Sequence, residues 1–426
     1  MRIEKVNMYY VIILFMCILD LNCFYLVDTE TVYIAGLSYL NIEFLIHIMV
    51  FAWFLMSYFM NNAVIRIKKV GMYMIFPIAL SVISAYAGTR IYGQSFLGGL
   101  VASREWIGYI MMFFPISYWM KQGNITLEGL KKLLLGISIV YLCICSLQYV
   151  LSNVVIFTYV TSMERYGEAR YLFYTGYLML MLGFSIDKIM DDKPSKQKKY
   201  VDYILLLGTL VMVLVISKAR TQTIALCVAI CICMLIRKTG SKKKLIVIAG
   251  IIIGGLIIMV SPIGSDILNT VLGKSVENDT LSVRAAGKVY YLAILLQDWL
   301  TAIIGCGNPN YHSAEAMSIS NPTWIQYGGA KFYLTDQGIV GYLFIFGLVG
   351  LVWYLICMGY CIKRAYLIYK KKGNVGYLFF CLIELFVCMI LIPSLFRTSL
   401  VMILYMVQLE EEVKRMHIIS DTAVNS

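Results

Sequence analysis

The sequence predicts an all-α protein that crosses a membrane about twelve times. The 426-residue chain is 60% hydrophobic and only 14% charged, whereas soluble domains carry about 25% charged residues. Its mean hydropathy is +0.79. The apolar residues come in blocks of about twenty, the length at which a helix spans about 30 Å of hydrocarbon. Together these observations define a polytopic helical membrane protein.

The apolar blocks predict the order of the elements. We place spans at residues 8–26, 38–60, 70–87, 104–120, 133–151, 170–188, 202–217, 221–236, 244–262, 338–360, 375–393 and 397–409. The first block is too long for a secretion signal, and no small-x-small cleavage pattern follows it, so we interpret it as a retained span. The chain then divides into nine helices (1–262), a long connection (263–337), and three helices with a tail (338–426).

Basic residues orient these spans. The connections after even-numbered spans are rich in lysine and arginine, which predicts that they face the cytoplasm together with both termini. The net charge of +12 is therefore mainly a topology signal. No nucleic-acid partner is expected, because the charges lie in short solvated loops. We predict a multi-pass protein of the cytoplasmic membrane, with the lipid bilayer as its first partner.

The connection 263–337 is then external. Its apolar runs near 288–304 are too short to span and predict an interfacial helix. Arg284 and Lys288 are four residues apart and share one helix face. That face either presents both cations to lipid headgroups or caps the helix bundle.

Arginine and lysine are distributed differently between the two predicted faces. Seven of the 12 arginines are external, but only four of the 24 lysines are. The guanidinium fork makes bidentate bonds to phosphate, which favours a site for an anionic substrate. The predicted diphosphate-binding residues are Arg220, Arg284, Lys288, Arg397, Lys218 and Arg104. The alternative is pairing with nearby carboxylates, and Arg104, Arg165 and Arg170 each have a Glu within four residues.

Further polar residues and a glycine-rich segment lie near the predicted external face. In GCGNPN, residues 305–310, the glycines indicate a plain turn, or else an anion-binding nest of backbone N–H groups. His312 and Glu315 follow and are candidates for proton transfer. Asp336 lies just before a predicted span that contains several glycines.

Ionisable residues also lie inside the predicted spans. Glu43, His47 and Glu384 are costly in hydrocarbon and usually face the bundle interior. Structural pairing is favoured over a proton or ion pathway, because no chain of such groups crosses the bilayer. Nearly all of the 12 cysteines lie in apolar spans, where cysteine acts as a small apolar residue. No Cys/His spacing suits zinc, and neither a metal nor a cofactor is expected.

Most of the chain, in its twelve predicted spans, its single long external loop and several short motifs, resembles the O-antigen ligases and the related O-antigen and capsule polymerases (Wzy-type). The ligases carry His, then Asn, Ser or Gln, then nine residues and Gly-x-x-Gly. Here Asp336, Gln337, Gly347 and Gly350 have that spacing, with Asp in place of His. The polymerases often have Asp-x-Gly there, as in DQG at 336–338. SKARTQTIAL resembles the family's hairpin and aligns with Arg220.

The resemblance implies a GT-C-like fold and glycosyl transfer outside the membrane. The donor would be an undecaprenyl-diphosphate-linked oligosaccharide, and the acceptor the end sugar of another lipid-linked unit. Asp336 would serve as the base, with His312 or Glu315 as alternatives. A chain-length regulator and a flippase are further candidate partners.

Three functions remain open from the sequence. A polymerase and a ligase would use the same donor with different acceptors. A flippase or transporter of lipid-linked sugar is the third, although the two halves of the chain show no internal repeat of the kind that transporters usually have.

Overall fold

The structure of the protein is a computed structural model. It describes residues 7–29, 32–34, 37–60, 69–151, 162–165, 168–191, 200–217, 219–237, 280–310, 313, 315, 319, 332–389 and 400–424. The helices are α1 (Met8–Asp20), α2 (Tyr39–Met60), α3 (Lys69–Tyr92), α4 (Phe96–Ala102), α5 (Arg104–Lys121), α6 (Leu127–Val150), α7 (Gly176–Ile189), α8 (Tyr200–Val211), α9 (Arg220–Ile236), α10 (Thr280–Leu295), α11 (Trp299–Ile304), α12 (Ile339–Lys372), α13 (Gly376–Val387) and α14 (Leu400–Val424).

Two small antiparallel hairpins interrupt the helices. Strands β1 (Tyr33–Ile34) and β2 (Leu37–Ser38) precede α2, and β3 (Ser162–Arg165) pairs with β4 (Glu168–Tyr171) before α7. The second hairpin corrects the predicted span 170–188, because its helix begins only at Gly176.

A helix overlaps each predicted span that falls on described residues. Among the described residues, four helices are long and apolar enough to cross a membrane: Tyr39–Met60, Val70–Tyr92, Leu127–Val150 and Ile339–Lys372. Shorter apolar helices cover Met8–Asp20, Tyr200–Ile216, Thr221–Ile236 and Gly376–Val387. The predicted ninth span, 244–262, lies outside the described residues. The structure therefore gives an all-α membrane protein, and the number of twelve spans stays a prediction.

Local signals set several helix boundaries. The Thr126 side chain accepts a hydrogen bond from the N–H of Gly129 at the start of α6, which satisfies one of the free donors of the first turn. Helix α12 ends with Lys370–Lys372 in its last turn and with Gly373 at φ 75°. A glycine in the left-handed region and cations in the last turn are typical of a helix C-terminus.

Helix α14 lies at the centre of the bundle. No side chain from Leu400 to Leu409 is more than 2% exposed, and a helix that is apolar on all sides belongs in a core. It contacts α1, α5, α6, α7 and α12. Helices α2 and α3 pack on α5, and α3, α10, α11 and α13 pack on α12.

Charged residues join the helix ends that the sequence assigns to the cytoplasmic face. Asp187 at the end of α7 pairs with Arg237, and Lys131 of α6 pairs with Glu412 of α14. Arg415 of α14 pairs with Glu128. We call the end of the bundle where these ion pairs lie the basic end, and the other end of the bundle the opposite end. These helix ends therefore lie together, as predicted, while their orientation to the cytoplasm stays a prediction.

Candidate functional site

Helix α10 presents one face to the segment that precedes α12. Arg284, Gly287, Tyr291 and Leu295 recur at spacings of three and four, which places them on that face. The Tyr291 hydroxyl donates to the carbonyl of Phe332. Its ring centroid lies 4.9 Å from that of Phe344. A hydrogen bond and a ring contact in the C-terminal half of α10 thus fix the position of Arg284 in its N-terminal half.

A short turn holds Asp336. Leu334–Asp336 form one 3₁₀ turn, and Gly338 follows with φ 59° as the residue before α12. A Cβ on Gly338 would lie 2.7 Å from the carbonyl oxygen of Met389 and 2.8 Å from that of Cys388. Glycine is therefore required for both conformation and space, and it brings the turn close to the end of α13.

The structure brings Arg284 and Asp336 together. Arg284 Nη2 lies 3.9 Å from Asp336 Oδ2, and the two side chains are 32% and 39% exposed. That separation is an ion-pair contact but is too long for a hydrogen bond. A guanidinium that is reachable from solvent and not fully hydrogen-bonded can accept an anionic ligand, while the neighbouring carboxylate can accept a proton from a hydroxyl group.

Residues 305–310 are inserted between α3 and α12. The N–H groups of Cys306 and Gly307 donate to the carbonyls of Phe344 (2.6 Å) and Ile345 (3.2 Å). The N–H of Asn308 donates to Ser84 Oγ at 3.0 Å. Since these three amides already have acceptors inside the protein, they do not form the anion nest considered from the sequence.

The same segment is also more than an exposed turn. Cys306 is fully buried, and burial raises the pKa of its thiol to about 12. The side chain of Gln94 donates to the carbonyl of Asn308 (2.9 Å) and accepts from the N–H of Asn310 (3.0 Å). Sequence reasoning missed Gln94 and Asn308 as holders of this segment, because neither lies in a periodic pattern.

The inserted segment meets an interruption in α12. Gly347 has φ 62° and ψ −164° inside that helix, and a Cβ there would lie 2.3 Å from the carbonyl oxygen of Ile303. A Cβ on Gly305 would lie 2.4 Å from the carbonyl oxygen of Ile345. The two glycines let the backbones cross. In a membrane, irregular backbone is tolerated where protein groups satisfy it, and the amides of residues 306 and 307 do so here.

Other predicted site residues have different surroundings. Arg104 Nη1 donates to the carbonyl of Val101 at 2.6 Å, and its buried Nε has no hydrogen-bond partner among the described residues. Lys288 follows Arg284 by one turn, and within the described part of the chain no carboxylate lies at ion-pair distance from it. Arg90, also predicted to be external, pairs with Asp298 at 2.9 Å.

Several predictions stay untested by these contacts. Lys218, His312 and Arg397 lie outside the described residues. Arg220 begins α9, and its side chain lies outside the description as well. Glu315 is exposed, and its role in proton transfer stays a prediction.

The ionisable residues inside the spans are hydrogen-bonded or packed. The Tyr109 hydroxyl donates to Glu43 Oε1 at 2.5 Å. The His47 ring lies edge-to-face with that of Tyr109 at 4.9 Å, and its Nε2 has no hydrogen-bond partner within the described ranges. The Tyr177 hydroxyl donates to Asp20 Oδ2 at 2.7 Å. These contacts favour the structural role predicted for Glu43.

The fold and the Arg284–Asp336 pair define a multi-pass helical membrane protein. Its charged candidate site lies at the opposite end of the bundle from the basic residues. Residues 205–355 match the protein-family model described as O-antigen ligase. The match covers somewhat more than a third of the chain and includes Arg220, Arg284, Asp336 and Gly347. A search of the curated proteins finds no match to the chain.

The family match confirms the resemblance seen in the sequence and is consistent with the O-antigen ligase-like membrane proteins. It indicates a membrane function of the ligase or polymerase type, with glycosyltransferase-like chemistry and a lipid-linked polysaccharide substrate. It does not distinguish ligase from polymerase.

Proposed function

We propose that the protein is a polymerase of lipid-linked oligosaccharide repeat units. It would transfer the glycan of an undecaprenyl-diphosphate donor to the end sugar of another lipid-linked unit. The observation that carries this proposal is the Arg284–Asp336 contact of 3.9 Å between partly exposed side chains. The matched stretch contains both residues, and Asp336 occupies the position of the ligases' His.

In the proposed reaction, an acceptor hydroxyl attacks the anomeric carbon of the donor sugar. The new C–O bond forms as the bond from that carbon to the lipid diphosphate breaks, and the diphosphate leaves with the bonding electrons. Asp336 takes the proton of the hydroxyl. Arg284 stabilises the negative charge that develops on the diphosphate. Since that leaving group is already acidic, no general acid is required.

Further cations would complete the diphosphate site. Lys288 lies one turn from Arg284 on α10, and Arg220, Lys218, Arg397 and Arg104 are the other candidates. Each charge-assisted hydrogen bond is worth roughly 1.5–3 kcal/mol, so two or three would hold a diphosphate. Val289 of α10, Trp299 of α11 and Leu296 between the two helices are each more than 65% exposed. This apolar surface supports an interfacial position beside a lipid donor.

Replacing Arg284 by Ala tests the proposal directly. The gene is deleted, the variant is supplied from a plasmid, and surface polysaccharide is resolved by size. The variant should reach the membrane at the wild-type level and leave only single repeats. Arg90→Ala is the matched control, because Arg90 has a partner in Asp298 and should still give long chains. Long chains from Arg284→Ala would refute the proposal.

A ligase is the second candidate, favoured by the description of the matching family. Both candidates predict that Arg284→Ala is inactive, so the deletion strain separates them. Loss of a polymerase leaves single lipid-linked repeats, whereas loss of a ligase leaves long polymer still attached to its lipid. Lipid-linked sugar retained on the cytoplasmic leaflet would instead indicate a flippase.

A further inference from the structure

Next to the candidate site, a buried amide side chain lies against a glycine of α10. Gln337 follows Asp336 directly and is 1% exposed. A Cβ placed on Gly287 would lie 2.7 Å from Gln337 Nε2 and 3.0 Å from both Cδ and Oε1. A Cβ atom does not come closer than about 3 Å to another heavy atom, so the amide fills the space that the missing Cβ leaves.

The amide is also tied to its own turn. Gln337 Nε2 donates to the carbonyl of Tyr333 at 3.1 Å, and the backbone carbonyl of Gln337 accepts from the N–H of Val340 at 3.2 Å. The side chain therefore belongs rigidly to the turn that carries Asp336. Its Oε1 is buried and has no hydrogen-bond partner among the described residues. Hydrogen bonding through both amide atoms thus does not explain its burial, whereas steric fit to Gly287 does.

Gly287 stands one turn after Arg284 on the same face of α10. The contact between Gly287 and Gln337 therefore joins the backbone that carries Arg284 to the backbone that carries Asp336. It lies between that pair and the Tyr291–Phe332 hydrogen bond. Moving the amide by the length of one C–C bond would move Asp336 relative to the guanidinium.

We propose that Gln337 is a positioning residue whose side chain, seated against Gly287, sets the separation between Arg284 and Asp336. The inference rests on the proposed glycosyl transfer by that pair. It assigns Gln337 no contact with substrate and makes Gly287 a residue on which the rate depends. Displacements near 1 Å at a reacting group can lower a rate on the order of 100-fold.

The test is a double-mutant cycle on purified, detergent-solubilised full-length protein. The substrate is the lipid-linked repeat unit extracted from the deletion strain, and kcat is expressed per folded molecule, with Tm measured in parallel. In Gly287→Ala the new Cβ displaces the Gln337 amide, so kcat should fall about 10- to 100-fold. Gln337→Ala removes the amide and leaves the space beside Gly287 empty, so it should lower kcat by a similar factor. In the double variant the new methyl group meets no amide, so its kcat should be no lower than that of Gln337→Ala.

Gly359→Ala is the matched control. Gly359 lies in α12, and a Cβ there meets nothing within 4 Å, so its kcat should equal that of the wild type. Independent, multiplying losses in the double variant would overturn the inference. So would a lowered Tm with wild-type kcat in Gly287→Ala, because the contact would then only stabilise the fold.

If Gly287→Ala fails to accumulate, Gln337→Asn decides alone. The shorter side chain keeps the amide but does not reach Gly287, so kcat should fall at least tenfold. A wild-type kcat refutes the inference. Arg284→Ala separates this failure from failure of the proposed function. An inactive Arg284→Ala beside a fully active Gly287→Ala removes only the positioning role, whereas an active Arg284→Ala removes the proposed function.

Discussion

Carboxylates pair with arginine at both the basic end and the opposite end of the bundle, but the two pairs differ greatly in their hydrogen bonds and in their burial. Asp187 accepts from Arg237 Nη1 and from the N–H groups of Val375 and Gly376, each at 2.8 Å. Both members of the Asp187–Arg237 pair are buried. Asp336 instead lies 3.9 Å from Arg284, and both side chains are partly exposed.

This difference separates two uses of charge. Asp187, on α7, accepts three short hydrogen bonds from two other helix ends and so has little capacity left for a ligand. It holds α7, α9 and the start of α13 together. A loosely paired carboxylate contributes little to stability but remains available for chemistry. The comparison therefore predicts opposite consequences when the two aspartates are changed.

The largest expected effect is the loss of activity in Asp336→Asn. The amide keeps the shape of the side chain but cannot take a proton, and removal of a general base typically costs 10²- to 10⁴-fold in rate. Tm should stay within about a degree of the wild type, since the carboxylate is partly exposed. The assay is repeat-unit transfer per folded molecule. Asp298→Asn, at the same end of the bundle, is the control and should remain active. Equal losses in both variants would contradict the special role of Asp336.

The next effect is a loss of stability in Asp187→Ala. The change leaves Arg237 buried without its partner and two backbone N–H groups without an acceptor, and breaking a buried pair in this way costs about 3–5 kcal/mol. Thermal unfolding in detergent measures it, and activity per folded molecule should survive. Glu128→Ala is the control at the same end. Its side chain is 64% exposed, so it should cost less than about 1 kcal/mol. Equal stability of the two variants would remove the distinction between the ends.

The sequence predicted the parts of this comparison that depend on regular patterns. Apolar blocks placed the spans, and basic loops predicted that the ends carrying Lys131, Asp187 and Arg237 meet on one face. Counting from the glycines at 347 and 350 drew attention to Asp336, and the spacing on α10 drew attention to Arg284. The positions of the helices and the meeting of these helix ends were predictable because a helical period and a charge asymmetry are both visible in one chain, whereas the roles of Asp336 and Arg284 stay predictions.

The crossing of two backbones was not predictable in the same way. Gly305 and Gly347 are far apart in sequence, and nothing in GCGNPN indicates that its amides would complete an interrupted helix. The contact of Gln337 with Gly287 is equally non-local, since a missing Cβ has no pattern. The start of α7 was wrong by six residues because residues 171–174 (YLFY), which run from the last residue of β4 toward α7, continue the apolar block.

A smaller effect should appear as a pH dependence at the basic end. Burial alone would raise the pKa of Glu412, but Lys131 and Lys372 outweigh it and hold that pKa below its ordinary value. A lowered pKa in the folded state means that the stabilisation is complete above the ordinary value of 4.5 and is lost as the pH falls through the folded pKa. The Tm advantage of wild type over Glu412→Gln should therefore shrink on acidification below about pH 4.5. An advantage independent of pH would show that the ion pairs do not stabilise the basic end.

The smallest expected effect tests whether the opposite end contains cohesive pairs as well. Arg90 and Asp298 join α3 to the start of α11 at 2.9 Å, with side chains 44% and 34% exposed. A cycle of Arg90→Ala, Asp298→Ala and the double variant should give a coupling of about 0.2–1 kcal/mol in unfolding free energy, as for exposed ion pairs. The coupling should weaken as salt is added, because solvent ions screen exposed charges. A coupling above about 2 kcal/mol that resists salt would show that this end, too, uses its charges to hold helices together, and the loose Arg284–Asp336 contact would then be the exception within it.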